Sequence, residues 1–413
     1  MIKKIKPRFS KHNADNHLDE DGKILHSKKI VTGFELFVIS FMLLIFGIVC
    51  GCFITLYTKS VLGYRTDGKE SEIIKNYNYI KDNYYGKLDE NKLLNSAISG
   101  MLESLGDDYS SFYDEESTLD FNSKMDGKYK GIGASIQWDK GENKVVEVHA
   151  DSPAEKAGIK VKDVIIAVGD IDVTNLTATE LADIILKQGD SKFDITVDRN
   201  GQKLKFTLKL DMIELKSVHS MVSQENDKKI GYIKIDVFAS NTSEQFHKEL
   251  ESLEKKKIDS LIIDVRDNTG GHLSVAGDIL DFFFQKGTTL YQLSNESGVS
   301  KYKAKTAEKR NYPIVILVNE ASASASELLT SCFMDNYKDV TVVGKTTYGK
   351  GTVQKAITLP NGSSYKLTVE KWLTSSGRSV DGEGVTPDVD IDIDAEKCED
   401  TQLEKAYAIL SNK

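Results

Sequence analysis

The chain of 413 residues is poor in proline and cysteine and carries no basic excess. Five prolines rule out rigid proline-rich linkers. Four cysteines cannot make a disulfide framework at this length. Cys50 and Cys52 fall inside an apolar run, and Cys332 and Cys398 are taken as free thiols. A net charge of −9 argues against a nucleic-acid binder, whose footprint is usually strongly basic. No ligand cluster, phosphate loop or internal repeat stands out, so no metal and no other cofactor is expected. A histidine base is missing as well. His12, His17 and His26 lie near the N-terminus and His149 in a strand-rich region; His219, His247 and His272 show no triad spacing. What is present is enough apolar residue for a packed core, 40%, at a length that suits two or three domains of about 100–200 residues.

Charge is missing altogether from Leu36 to Thr58, a run of 23 residues. About 20 helical residues cross a hydrocarbon core, so the run is long enough to span. A buried core helix is the alternative, but such helices carry a polar stripe and this one has none. A cleaved signal peptide would have a shorter apolar core, and Val49-Cys50-Gly51-Cys52 matches a lipoprotein cleavage box poorly. Whether the span is retained stays open. Residues 1–30 hold eight basic and four acidic side chains, while residues 59–413 carry a net −12. Basic flanks stay inside, so the N-terminus is expected in the cytoplasm and residues 59–413 outside the cell membrane.

Residues 59–71 read as a polar stalk, and residues 72–105 carry helical spacing, from Ile73, Ile74, Tyr77 and Ile80 to Leu105. From about Tyr129 to Leu210, short strand patterns surround one helix around Leu181–Leu186, with a tight turn at Asn200-Gly201. From about Gly231 onward strands alternate with helices. Ile230–Ile235, Ser260–Val265 and Ile314–Val318 are strands, and 243–257, 272–284 and 324–334 are helices. Such alternation predicts an α/β layered domain. The acidic stretch Asp388–Asp394 is read as a strand or edge segment.

The turn Gly131-Ile132-Gly133-Ala134 could aim backbone N–H groups at one point, a nest for a carboxylate. On its own it could equally be a plain turn. With Ser152-Pro-Ala-Glu-Lys-Ala-Gly-Ile and Asp163-Val-Ile-Ile-Ala-Val-Gly-Asp following, residues 118–212 resemble a PDZ domain of the bacterial protease type. The resemblance implies that a peptide C-terminus adds as a strand, with the helix near 179–187 as the opposite wall.

The segment Val318–Glu327 (VNEASASASE) ends a buried strand, passes a loop of small residues and opens a helix. It puts a serine at a sheet edge beside a helix N-terminus. Ser324 with Glu327 also reads as a capping box, which inert helices share. A nucleophilic serine needs a base, and without a histidine attention falls on Lys350, in Gly349-Lys-Gly-Thr-Val-Gln354. Burial can bring a lysine pKa down toward the working pH, and a glutamine amide can accept from the amine and aim it.

Together with Arg266-Asp267-Asn268-Thr269-Gly270-Gly271, these segments resemble the serine–lysine C-terminal processing, or tail-specific, proteases. The family motif has proline where Thr269 stands and an apolar residue where His272 stands. The resemblance covers most of the chain from about residue 72. With the charge and apolar patterning it makes an α/β multidomain protein: the patterning gives a basic tail over 1–30, a transmembrane helix over 31–58 and a stalk and helical region over 59–117, and the resemblance implies a PDZ domain over 118–212 and a crotonase-like protease core over 213–413. It assigns Ser324 as nucleophile, Lys350 as base, Gln354 as its orienting partner and the Gly271 and Ala325 amides as oxyanion hole, with Gly131, Ile132, Gly133 and Ala134 binding peptide. Expected partners are proteins or peptides with exposed C-terminal tails, and the membrane; a homo-oligomer is left open, and the PDZ domain is a candidate gate.

Overall fold

The computed structural model describes residues 33–61, 68–306, 310–393 and 399–412. The chain divides into two compact units, Met1–Leu88 and Asp89–Lys413. The basic tail over 1–30 and Cys398 lie outside the described residues.

The first unit contains the helices Gly33–Val61 and Lys69–Asn83. Within the first, Phe34–Ile54 has a mean hydropathy of 2.8 with nothing buried, so its length and composition suffice to cross a membrane. A membrane anchor and a signal sequence both fit these properties. Of the expected stalk, residues 59–61 prolong one helix, 69–71 open the next, and 62–67 lie outside the described residues. The helical region over 59–117 is also divided. Helix Glu90–Glu103 belongs to the second unit, where Leu102 is buried and Asn361 Nδ2 donates to Asn95 Oδ1 at 2.9 Å.

In the second unit, the segment of short strands forms one antiparallel sheet. Its strands run in the order Ala134–Asp139, Glu142–Val148, Val164–Val168, Phe193–Arg199 and Gln202–Leu208. Helix Ala178–Leu186 lays Leu181 and Ile185 on Val145, Ile165, Ile195 and Val197, the alternate residues of those strands. Asn200 and Gly201 both take positive φ, 56° and 82°, the tight hairpin read from their identities. Strand Lys128–Gly131 pairs with Asp211–Glu214, so the module's two ends close on each other. Ala134–Asp139 lies at the edge of its sheet, beside the Gly131–Ala134 turn.

The larger core is built on two runs with every residue buried, Ser260–Asp264 and Ile314–Val318. Such continuous runs belong in the middle of a parallel sheet covered on both faces. The sheet order is Val218–Glu225, Lys228–Ile235, Ser260–Asp264, Ile314–Val318, Val340–Gly344 and Val389–Asp390, parallel except for the first pair. Alternation decides the faces. Leu261, Ile263, Ile314, Ile316 and Val318 pack under helices Thr242–Lys255, Leu273–Leu280 and Ala325–Asn336. Ile262, Val315 and Leu317 meet Ala406 and Leu410 of helix Thr401–Ser411 on the other face. Among the described residues of the acidic stretch, Val389–Asp390 alone forms a strand, at the sheet edge.

A second sheet carries the lysine side of the site. Strand Ser364–Leu373 pairs with Ser111–Tyr113, Thr289–Asn295 and Thr352–Thr358, and Gly298–Lys303 pairs with Thr289–Asn295.

Candidate active site

The serine turn connects the buried strand Ile314–Val318 to helix Ala325–Asn336. Of its three serines, two are committed to structure. Ser322 Oγ donates to the Val265 carbonyl at 2.7 Å and Ser326 Oγ to the Asn268 carbonyl at 2.8 Å, and both residues are 0% exposed. Ser324 is 8% exposed, and among the described residues its hydroxyl donates to no carbonyl. Its backbone sits at φ 55°, ψ −109°, a region costing a non-glycine residue about 1–3 kcal/mol.

Glu327 holds that conformation. Its carboxylate is wholly buried and accepts four hydrogen bonds. The Ser324 and Lys350 amides reach Oε2 at 2.7 and 2.9 Å. Thr347 Oγ1 and the Gly349 amide each reach Oε1 at 2.6 Å. The capping box read from Ser324 and Glu327 is therefore present on its glutamate side, and the same carboxylate also clasps the lysine loop. Sequence reasoning missed that second half, since a glutamate three residues past an N-cap is sufficiently explained by the helix alone.

The glycine loop closes a third side. Asn268 is buried and fixes it: its Nδ2 donates to the Ile235 carbonyl, its Oδ1 accepts from Gly270, and its carbonyl accepts from Ala323 and Ser326. A Cβ on Gly270 would stand 2.9 Å from Ser324 Cβ and 3.2 Å from the Ala325 nitrogen, so only glycine lets the loop lie this close. Among the described residues, neither the Gly271 nor the Ala325 amide has an acceptor. Thr269 is exposed and takes no part in these bonds, so the loop is anchored without a proline. His272 Nε2 lies 3.2 Å from the Met125 carbonyl, a bond no apolar residue could make. Arg266 is not turned to this site; it is buried in ion pairs with Asp264 and Asp400.

Lys350 is fixed through its backbone. Its carbonyl accepts from Trp372 Nε1 at 2.7 Å, and the Gly351 carbonyl from the Trp372 amide at 2.9 Å. Its amine lies 4.7 Å from the centre of the Tyr109 ring. Burial lowers the Lys350 pKa and the positive charge of Lys366 adds to this, against the pull of Asp107 and Glu327. Gln354 lies in strand Thr352–Thr358, and its amide nitrogen donates to Thr352 Oγ1 at 2.9 Å and Thr368 Oγ1 at 3.1 Å. It is thus held by threonines, and no hydrogen bond joins it to the Lys350 amine in this structure. Asp107 and Tyr109 were not singled out in the sequence; they carry no motif and stand far from Lys350 along the chain.

Gly131, Ile132, Gly133 and Ala134 belong to the other module, leading into the edge strand of its antiparallel sheet. The Ile132 carbonyl accepts from the Ala154 amide at 2.8 Å, and the Gly133 carbonyl from the His149 amide at 2.9 Å. The turn is thereby fixed while Ala134–Asp139 keeps its sheet edge.

Residues 229–391 match Peptidase family S41, 144–199 a PDZ domain and 60–117 the activating protease CtpB N-terminal domain. Carboxy-terminal processing protease CtpA of Bacillus subtilis (strain 168) is 35% identical over 357 residues, covering 84% of this chain and 76% of the relative. CtpB of the same organism is 36% identical over 332 residues, covering 79% and 68%. Among solved structures, the photosystem II D1 C-terminal processing protease aligns with a TM-score of 0.47 at 24% identity, over 84% of this chain and 92% of that one. The chain belongs to the carboxy-terminal processing serine proteases.

Proposed function

We propose that the chain is a membrane-anchored endopeptidase working through a Ser324–Lys350 dyad on a crotonase-like core. One observation carries the reading: the Ser324 and Lys350 amides share a single oxygen of Glu327, next to two amides with no acceptor. The lysine, its pKa lowered chiefly by burial, takes the Ser324 proton as Oγ attacks the peptide carbonyl. Negative charge builds on the carbonyl oxygen, and the Gly271 and Ala325 N–H groups receive it; loss of one such donor costs about 3–4 kcal/mol of barrier. The C–N bond breaks, Lys350 returns the proton to the leaving amine, and an acyl-enzyme on Ser324 remains. Water, deprotonated by Lys350, releases the carboxylic acid and restores the serine. Gln354 is the group that aims the amine.

Substrates are proteins or peptides with an exposed C-terminal tail. The tail adds along the edge Ala134–Asp139, and its carboxylate rests on the turn Gly131-Ile132-Gly133-Ala134. Capture there would gate delivery to Ser324. Helix Gly33–Val61 anchors the chain in the cell membrane, and the basic residues before it keep the N-terminus cytoplasmic and the catalytic region outside.

The test is cleavage of a protein with an apolar C-terminal tail by the parent, Ser324→Ala and Lys350→Ala. Both variants are expected to lose activity by a factor of about 1,000 or more. Parent-like rates in both would refute the dyad. Tail binding without cleavage by any form would point to a scaffold instead.

A further inference from the structure

The amine of Lys350 is covered by an aromatic ring from outside the three protease motifs. Tyr109 belongs to the segment Gly106–Ser110, between helix Glu90–Glu103 and strand Ser111–Tyr113. That strand is in register with Ser364–Leu373, pairing Ser111 with Lys366. The segment is pinned by more than the strand. Ser110 Oγ accepts from the Thr368 amide at 3.0 Å and donates to Asp107 Oδ2 at 2.5 Å. Asp107 Oδ1 accepts from the Tyr109 amide at 3.1 Å. Since Thr368 Oγ1 also accepts from Gln354, bonded residues run from Asp107 through Ser110 and Thr368 to Gln354. Burial, together with a hydrogen bond to Tyr348, pushes the Tyr109 phenol up to about 12, so it stays protonated at working pH.

We infer that Tyr109 is a positioning residue for Lys350, its ring closing the amine off from water and fixing it beside the serine turn. The inference rests on the Ser324–Lys350 reading. The charged groups acting on Lys350 come from several elements, Asp107 from the Tyr109 segment, Glu327 from the serine helix and Lys366 from the central strand, while Tyr348, Asp381 and Asp108 act on the Tyr109 phenol. Asp381 bonds the neighbouring Gly351 amide. The two carboxylates Asp107 and Glu327 favour the ammonium, and so does the ring face itself. Burial opposes them and is the largest influence, so the pKa is low on balance. Taking the ring away admits water, weakens the dominant influence and raises the Lys350 pKa. The base must be neutral to act, so activity rises with pH through that pKa, and a raised pKa moves the acid limb upward.

The measurement is kcat/KM against pH for the full chain in detergent, with an internally quenched peptide of apolar C-terminus that the parent cleaves. For Tyr109→Ala the acid limb is expected to move up by about one pH unit, a fraction of what full burial can do. Tyr109→Phe keeps the ring and is expected to leave the limb in place. The limb's position does not depend on how much protein is folded. If Tyr109→Ala is too slow to titrate, Tyr109→Val is read the same way, with a smaller shift in the same direction. A limb that stays or moves down in the ring-less variants, or moves as far in Tyr109→Phe, overturns the inference. Lys350→Ala, assayed alongside, tests the dyad separately: its activity would remove the dyad reading, while its inactivity with an unmoved Tyr109→Ala limb removes only the role of the ring.

Discussion

At the scale of single residues, the site depends on a buried carboxylate that takes no part in the chemistry. Glu327 offers two oxygens to four donors, one of them the amide of a strained serine. Glu327→Gln puts an NH₂ donor where an oxygen accepted two hydrogen bonds, leaving buried donors opposed. We expect a loss of about 2–3 kcal/mol in urea unfolding and a kcat lowered more than KM is raised. Parent-like stability and kcat would show that the clasp does not hold the site. The motifs singled out Ser324 and Lys350 because each is short and contiguous. Glu327's wider role and Tyr109's place were not, since they depend on long-range pairing: Ser110 and Thr368, which dock the Tyr109 segment, are 258 residues apart. The choice of Ser324 over Ser322 and Ser326 came from resemblance, and the structure supplies a physical reason in the bonds that occupy the other two hydroxyls.

At the scale of elements, apolar patterning was the reliable guide. Ser260–Asp264 and Ile314–Val318 were readable as buried strands because neither has an exposed face to spend on polar residues. Helix ends were less readable. The helix expected over 272–284 ends at Leu280, where Phe283 and Phe284 continue the apolar pattern without continuing the helix. The two ends of the expected stalk are helical, since their polar residues also suit solvent-exposed helix. The peptide-binding turn makes a sharper prediction. Gly133 has φ +76°, and a Cβ there would fall 2.2 Å from Ser152 Cβ. Gly133→Ala must therefore displace the turn that would receive a carboxylate. Fluorescence titration with a labelled apolar-tailed peptide is expected to show affinity lower by a factor of about ten or more, the loss of one or two charge-assisted hydrogen bonds. Unchanged affinity would mean that the tail binds elsewhere.

At the scale of the whole molecule, the scarcities of the sequence have a common meaning. On the proposed reading a half-buried lysine takes the place of a histidine base, and the acidic excess is carried by residues 59–413, past the apolar helix. The order of helix, PDZ module and protease core was legible because each announces itself locally. How the halves of the catalytic site meet was not, because that meeting is a product of sheet pairing across the chain. The central claim is that peptide bonds are broken through an acyl-enzyme on Ser324 with Lys350 as base. The direct measurement is to quench the full chain in acid during turnover of a peptide ester with an apolar tail, then map the added mass. The account predicts the acyl group on Ser324, absent in Ser324→Ala and formed far more slowly in Lys350→Ala. An acyl group on another residue, or one formed at the parent rate without Lys350, would contradict it.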